Sequence, residues 1–510
     1  GKAVPFIPHP DNVKYFFQTG YILNNGVAVS VSGDKYHFRF SYNNMYHRGI
    51  LPNTSQQTNS FTLNTGYKLS SKLSLDVMAN YIKRNSPNLP GGSGLRETST
   101  MLQFAWFGRQ VDMNKLYQFY REGNPTNWNN LYYSNRYFIA YNNTVAQHRD
   151  RLIGSVDLKY QILKDLTATF RTGNDNYTDR RMMKVAFGTK GVPYGSYGED
   201  TYIVNENNTE GRIELNKAIG NGSSLDLMGG GNIRVNSTRN NDQRAPQLAV
   251  AGVYTLDNSR VALVSNNYAT KLKTLSLFSS AQIGYKSLAY LNLTARNDWS
   301  STLPVSAQSY FYPSVSGSFI LSQALNISSD KINFIKLRGG WSKVGSGTTA
   351  YQLINTYYFT TPFGNFPQLH SNAIDLNPDL KPEQTTSSEA GVEAGFFNNR
   401  LHIDVSLYNM NSYNQIIAVD VSPTTGFNQK LINGGRINNK GVEVELDVVP
   451  VQTHNFKWNA MINYSSNRSR VINLDKEGNL RSYVLGSDGT IQVLAAIDQP
   501  YGTLFGTAFE

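Results

Sequence analysis

Cysteine is absent from all 510 residues, which excludes a disulfide framework and any thiolate metal site. Long apolar runs are missing as well. No stretch approaches the ~18 residues that a membrane helix requires, so a helical membrane protein is excluded. Only 40% of residues are hydrophobic, and the mean hydropathy is -0.41. Acids are the scarcer charge, 36 Asp and Glu against 47 Lys and Arg, for a net charge of +11. That surplus does not describe a nucleic-acid protein, because the basic residues form no stripe and no zinc-finger or RNP-type signature occurs. Catalytic patterns are equally lacking. There is no G-x-S-x-G elbow, and neither Gly345/Gly347 nor the Gly91/Gly92/Gly94 cluster sits between a strand and a helix as a phosphate cradle would. No enzyme is expected. The seven histidines are scattered, and His402 with Asp404 gathers no further ligand, so no metal or cofactor is expected. Around Gly478, Asp475, Glu477 and Asn479 imitate part of a calcium loop without its twelfth-position Glu, which predicts a loop turn.

What is present is a rhythm. Val442, Val444, Leu446 and Val448 alternate with Glu443, Glu445 and Asp447. The same period of two recurs in Phe61/Leu63/Thr65/Tyr67/Leu69, Leu75/Val77/Ala79/Tyr81, Leu401/Ile403/Val405/Leu407 and Phe456/Trp458/Ala460/Ile462/Tyr464. Such alternation makes strands with one apolar and one polar face. The links alternate too. Short ones fall at 32–35, 70–72, 163–165, 218–223, 286–287, 397–400 and 450–455; long ones at 44–58, 84–148, 174–208, 236–270, 344–384, 409–433 and 465–500. Tight periplasmic turns opposite long extracellular loops are the asymmetry of an outer-membrane barrel. The expected fold is therefore all-β, a transmembrane antiparallel β-barrel. The 32 Tyr and 25 Phe suit its interfacial girdles.

About sixteen strand-like segments can be placed to within a few residues. They lie near 27–32, 35–43, 58–69, 72–83, 149–162, 164–174, 209–217, 223–236, 270–285, 288–297, 310–321, 334–344, 385–396, 400–409, 434–449 and 456–465. A barrel of that many strands encloses a wide lumen, so something passes through it or plugs it.

Longer motifs point to a family. LNPDLKPEQ at Leu376–Gln384, the stretch SSEAGVEAGFFNNRLHIDVSLYN ending at Asn409 and TGFNQKLINGGRINNKGVEVEL ending at Leu446 resemble the barrel of TonB-dependent transporters, in particular the SusC-like (SusC/RagA) branch of Bacteroidota. NVKYFFQTG at Asn12–Gly20 and FTLNTGYKLSSKLSLDVMANY at Phe61–Tyr81 look like the first barrel hairpins of that branch; FGRQVDMNKL at Phe107–Leu116 and QPYGTLFG at Gln499–Gly506 are similar again. The resemblance implies a partial barrel domain over 1–510, with about 16–17 of roughly 22 strands and an incipient strand at Gly502–Glu510. Plug, TonB box and closing strands would lie outside it. It also implies active import of a glycan or peptide across the outer membrane, with a SusD-like lipoprotein as lid and TonB acting through the plug. The alternatives are a siderophore or cobalamin receptor and a non-transport adhesin or complex subunit. Lys and Arg on turns, loops and lumen would meet lipopolysaccharide or an acidic solute, and the outward apolar face would meet lipid.

Solute contacts are expected from loop aromatics: Trp128, Tyr132, Tyr133 and Tyr137 in one long loop, and Tyr351, Tyr357, Tyr358, Phe359 and His370 in another. Flat rings beside amides suit sugar faces and peptide side chains alike. Lumen charges Glu443, Glu445, Asp447, Asp404, Arg338 and Arg171 are expected to form a solvated wall with cross-strand pairs. Helical spacing at Leu116, Phe119 and Tyr120 predicts a small helix over 111–120 that packs its loop.

Overall fold

The computed structural model describes residues 6–90, 98–123, 133–327, 329–475 and 478–507. Two compact units divide the chain, one of residues 1–159, 171–209 and 235–271, the other of residues 160–170, 210–234 and 272–510. The first unit opens with helix α1 (Asn12–Phe16) and an antiparallel meander of β1 (Tyr21–Ser32), β2 (Tyr36–Arg48), β3 (Ser55–Lys68) and β4 (Leu73–Asn88). Helices α2 (Thr100–Ala105), α3 (Met113–Arg121) and α4 (Arg136–Asn142) follow. The sequences of β5 (Thr144–Leu163), β6 (Leu166–Val185), β7 (Ser196–Gly220), β8 (Ser223–Ala245) and β9 (Val264–Tyr285) are divided between the units.

The second unit continues with β10 (Ala289–Ser300), β11 (Ser309–Ile320), β12 (Ile332–Ser346), the hairpin β13 (Tyr357–Phe363) and β14 (Phe366–Ser371), and the short β15 (Ile374–Asp375). Next come β16 (Glu383–Phe396), β17 (Leu401–Asp420), β18 (Gln429–Gln452) and β19 (Lys457–Asn473). Antiparallel pairing runs β9–β10–β11–β12–β16–β17–β18–β19. The last strands, β20 (Ser482–Asp488), β21 (Ile491–Ala496) and β22 (Thr503–Phe505), form a small sheet of their own. The segment expected as an incipient barrel strand at Gly502–Glu510 thus contributes Thr503–Phe505 to that small sheet, where it pairs with β21.

Each predicted segment falls on one of β1–β12 or β16–β19, but several strands run further into the long-loop side. The alternation ends near Asn409, whereas β17 continues to Asp420. Beyond the lipid both faces of a strand meet water, so the apolar period stops while the hydrogen-bonded ladder goes on.

Register shows the two faces directly. Leu401, Ile403, Val405 and Leu407 stand opposite Val448, Leu446, Val444 and Val442, while His402, Asp404 and Ser406 stand opposite Asp447, Glu445 and Glu443. In β1, Val27 is 61% exposed, and Val29 and Val31 on the same face are exposed with it. In water such a row is an aggregation surface; against acyl chains it is the favourable one. The short turns use left-handed residues. Lys286 and Ser287 have φ of 49° and 55°, the mirror-image geometry that matches the twist of paired strands.

The LNPDLKPEQ motif has a structural explanation. Leu380 is buried with Leu303, Tyr310 and Leu431. Asn433 clamps the backbone of Lys381, its Nδ2 donating to the Lys381 carbonyl at 2.8 Å while its Oδ1 accepts from the Lys381 N–H at 2.7 Å. Glu383 accepts the Ile416 N–H at 2.8 Å. That N–H lies two residues after Asn414, a left-handed residue at φ 57° where the β17–β18 pairing lapses between Tyr413/Arg436 and Gln415/Gly434 without a change of register. Glu383 therefore satisfies a backbone donor of β17 beside that lapse.

Candidate functional site

The long segment between β4 and β5 folds into a helical cluster with its own core. Asp112 caps α3 by accepting from the Asn114 N–H at 2.9 Å, and Asn135 caps α4 by accepting from the Tyr137 N–H at 2.9 Å. Asn12 of α1 ties the segment down, its Nδ2 donating to the Val111 carbonyl at 2.6 Å and its Oδ1 accepting from the Met113 N–H at 3.1 Å. Phe16, Leu51, Val111, Met113, Leu116 and Tyr137 close over one another. The helix expected over 111–120 is thus present as α3, with Leu116 packing the loop.

On the other side of α3 and α4 lies a cleft of about 740 Å³ lined by Tyr117, Tyr120, Arg121, Phe138, Tyr141, Asn142, Phe187 and Tyr254 among others. The rings of Tyr120 and Tyr141 stack at 5.2 Å and 14°. Burial, first, and then neighbouring phenols push the Tyr120 hydroxyl pKa up. This surface offers several ring faces, an amide and a guanidinium within one concavity, the combination that binding sites for oligomeric solutes use.

Two adjacent residues in the cluster carry opposed charge costs. Arg136 is fully buried, its guanidinium carbon 4.3 Å from the Phe107 ring centroid and 5.6 Å from that of Phe104, and none of its three side-chain nitrogens has a hydrogen-bond partner among the described residues. Desolvation lowers its pKa to about 10. Burial pushes the neighbouring Tyr137 up to about 12. Tyr137 stability is present below pH 10 and is lost as pH rises through 12, because the unfolded phenol ionises first. Arg136 acts the other way, since its burial cost is relieved between pH 10 and 12.5. Tyr137→Phe is therefore expected to leave the Arg136 gain unopposed, so that protease protection of the cluster rises between pH 9 and 11 relative to wild type. A fall in that interval contradicts the assignment.

The polar face of β12, β16, β17 and β18 carries paired charges. Arg338 leaves β12, passes over Gly391 of β16 and reaches β17, donating to Asp404 at 2.5 and 2.7 Å and to Ser406 at 2.5 Å. A Cβ on Gly391 would stand 2.7 Å from Arg338 Nε, so any larger residue would push the side chain off its present path to Asp404. Lys336 and His402 both face Glu393, at 3.2 and 3.6 Å. Arg338, Asp404, Ser406, Glu443 and Glu445 line a cavity of about 320 Å³. Arg171 pairs with Asp157 on the strand before it. Among the described residues, no cation pairs with Glu443, Glu445 or Asp447.

The aromatic residues singled out from sequence meet different fates. Trp128 and Tyr132 lie outside the described residues, as do Glu477 and the Gly91/Gly92/Gly94 cluster. Tyr133 stacks on Trp106 at 5.8 Å. Tyr137 is 4% exposed and packs edge-on against Phe16 and Tyr117, which makes it core. Tyr357, Tyr358, Phe359 and His370 come together on the β13–β14 hairpin, with Tyr357 and Phe359 at 74% and 77% exposure and Tyr358 stacked on His370 at 5.5 Å. Tyr351 is exposed beside it in sequence, at φ 64°. Tyr117, Tyr120, Arg121, Tyr141, Phe187 and Tyr254 were not singled out as contacts. The one available signal was the three-residue spacing of Tyr117 and Tyr120 on a helix with Leu116 inward. At Asp475, Oδ2 accepts the Asn479 N–H at 3.0 Å around Gly478, a loop turn.

Comparison with known proteins assigns the class. The family model for the TonB dependent receptor-like β-barrel matches residues 88–485, and the chain belongs to that family. It is accordingly an outer-membrane barrel that crosses with strands. TonB-dependent receptor P26 of Formosa agariphila is 24% identical over 501 residues, 93% of this chain and 49% of the relative. TonB-dependent receptor SusC of Bacteroides thetaiotaomicron is 26% identical over 234 residues, 43% of this chain and 23% of SusC. The structure of the RagAB peptide transporter superposes with a TM-score of 0.81 at 19% identity, over 96% of this chain and 55% of that one. The chain is thus similar to SusC in sequence and to RagAB in fold. It spans about half the length of P26.

Proposed function

We propose that this barrel forms the channel wall and solute-contact loops of a TonB-dependent importer of large nutrients, oligosaccharide or oligopeptide. A SusD-like lipoprotein covers the loop side, and TonB drives release through the plug. The observation that carries this reading is the aromatic cleft of α3 and α4, built on the long segment between β4 and β5. No covalent chemistry is needed, since recognition and a wide polar route are sufficient for import. The exposed rings of Tyr357 and Phe359 supply a surface for the lid protein.

Uptake of labelled oligosaccharides and oligopeptides by cells with and without the gene tests it. Gene-dependent and TonB-dependent uptake of one class is expected. Tyr120→Ala with Tyr141→Ala is expected to weaken that uptake about thirtyfold, each ring contributing about 1 kcal/mol. Unchanged uptake of both classes without the gene contradicts the proposal.

A further inference from the structure

We infer that the cleft of α3 and α4 selects anionic oligomers, its rings covering their flat apolar faces while Arg121 and Lys184 meet their carboxylates or sulfates. This rests on reading the cleft as a solute-contact surface. Charge there is one-sided. Arg121 lines the cleft, and no carboxylate lines it among the described residues. Lys184 holds its Nζ 5.4 Å from the ring centroid of Tyr254, itself a lining residue. Among the described residues, neither Arg121 nor Lys184 forms an ion pair. Arg48 lies close enough to Tyr141 to oppose the burial that raises that phenol. Arg136, which opens the same helix that supplies Tyr141, adds a positive charge that no acid pairs with among the described residues. An unpaired guanidinium and ammonium beside ring faces match a group that is flat and anionic together: a uronate or sulfated sugar unit, or an acidic residue of a peptide. A neutral oligomer would use the rings and leave both cations with water.

The test uses full-length transporter extracted in mild detergent, with binding measured by calorimetry on two matched pairs. One pair is an oligogalacturonate and a neutral galacto-oligosaccharide of equal length; the other is an alternating Ala/Glu peptide and its Ala/Gln counterpart. In at least one pair the anionic member is expected to bind about tenfold tighter at low salt, with the preference shrinking as salt rises. The pair that shows it identifies which polymer carries the charge. Arg121→Gln together with Lys184→Gln is expected to abolish the preference, with protease protection of the helical cluster as the control for folding. Equal binding within both pairs, lost in Tyr120→Ala/Tyr141→Ala, overturns the charge selectivity and leaves the cleft as the solute surface. A preference that survives the double cation substitution also overturns it. No binding of any of the four overturns the cleft reading and the inference with it.

Discussion

Leu446→Arg is expected to deplete the protein from the outer membrane, while Glu445→Lys one residue away is expected to leave its level nearly unchanged. Leu446 stands in an apolar row, opposite Ile403 on β17 and Ile462 on β19. An arginine on that face must take its charge into hydrocarbon at a cost of about 2–4 kcal/mol. Glu445 stands opposite Asp404 and Asn463 on the other face. A lysine there meets water and a carboxylate, worth less than about 1 kcal/mol in either direction. Folded protein in outer-membrane fractions is the measurement. Equal losses from both variants contradict the two-faced strand.

The second large effect runs against the usual direction of core substitutions. Arg136→Met is expected to stabilise the helical cluster by about 1–4 kcal/mol, because it replaces a buried charge that has no partner among the described residues with an apolar chain of similar length. Phe104 and Phe107 already form an apolar seat for the side chain, so the thioether keeps the packing. Limited proteolysis of the cluster reports its opening free energy. Slower cleavage is the expected result. Faster cleavage would mean that the guanidinium has an acidic partner in the full-length protein, which Met cannot replace.

The strand cores were legible because lipid on one side and water on the other write a period of two into the side chains. Where that condition ends, so does the signal. Beyond the alternation β17 carries Asn411, Ser412, Asn414 and Gln415 and then the unbroken apolar run Ile416–Val419, neither with a period of two, and only the hydrogen-bonded ladder shows them to be strand. The loop aromatics were the least legible part. Tyr137 and Tyr141 lie four residues apart on α4, yet Tyr137 is in the core and Tyr141 lines the cleft. Both are tyrosines with similar neighbours in sequence, and only the packing of α1 and α3 against α4 separates them. Gly391 and Gly66 illustrate a third limit. Each is crossed by a side chain, Arg338 toward Asp404 and His37 toward Asp76. A glycine inside a strand shows no such partner until the register is known.

The absence of cysteine allows the sidedness of the barrel to be measured without background. A single thiol is placed at Thr424, in the exposed connection between β17 and β18, or at Asn398, in the tight turn between β16 and β17. Intact cells are then treated with a maleimide too large to cross the outer membrane. Thr424→Cys is expected to react on intact cells, and Asn398→Cys only after the membrane is opened. Labelling of Asn398→Cys on intact cells, with Thr424→Cys protected, would contradict a barrel whose long loops face outward and whose short turns face the periplasm.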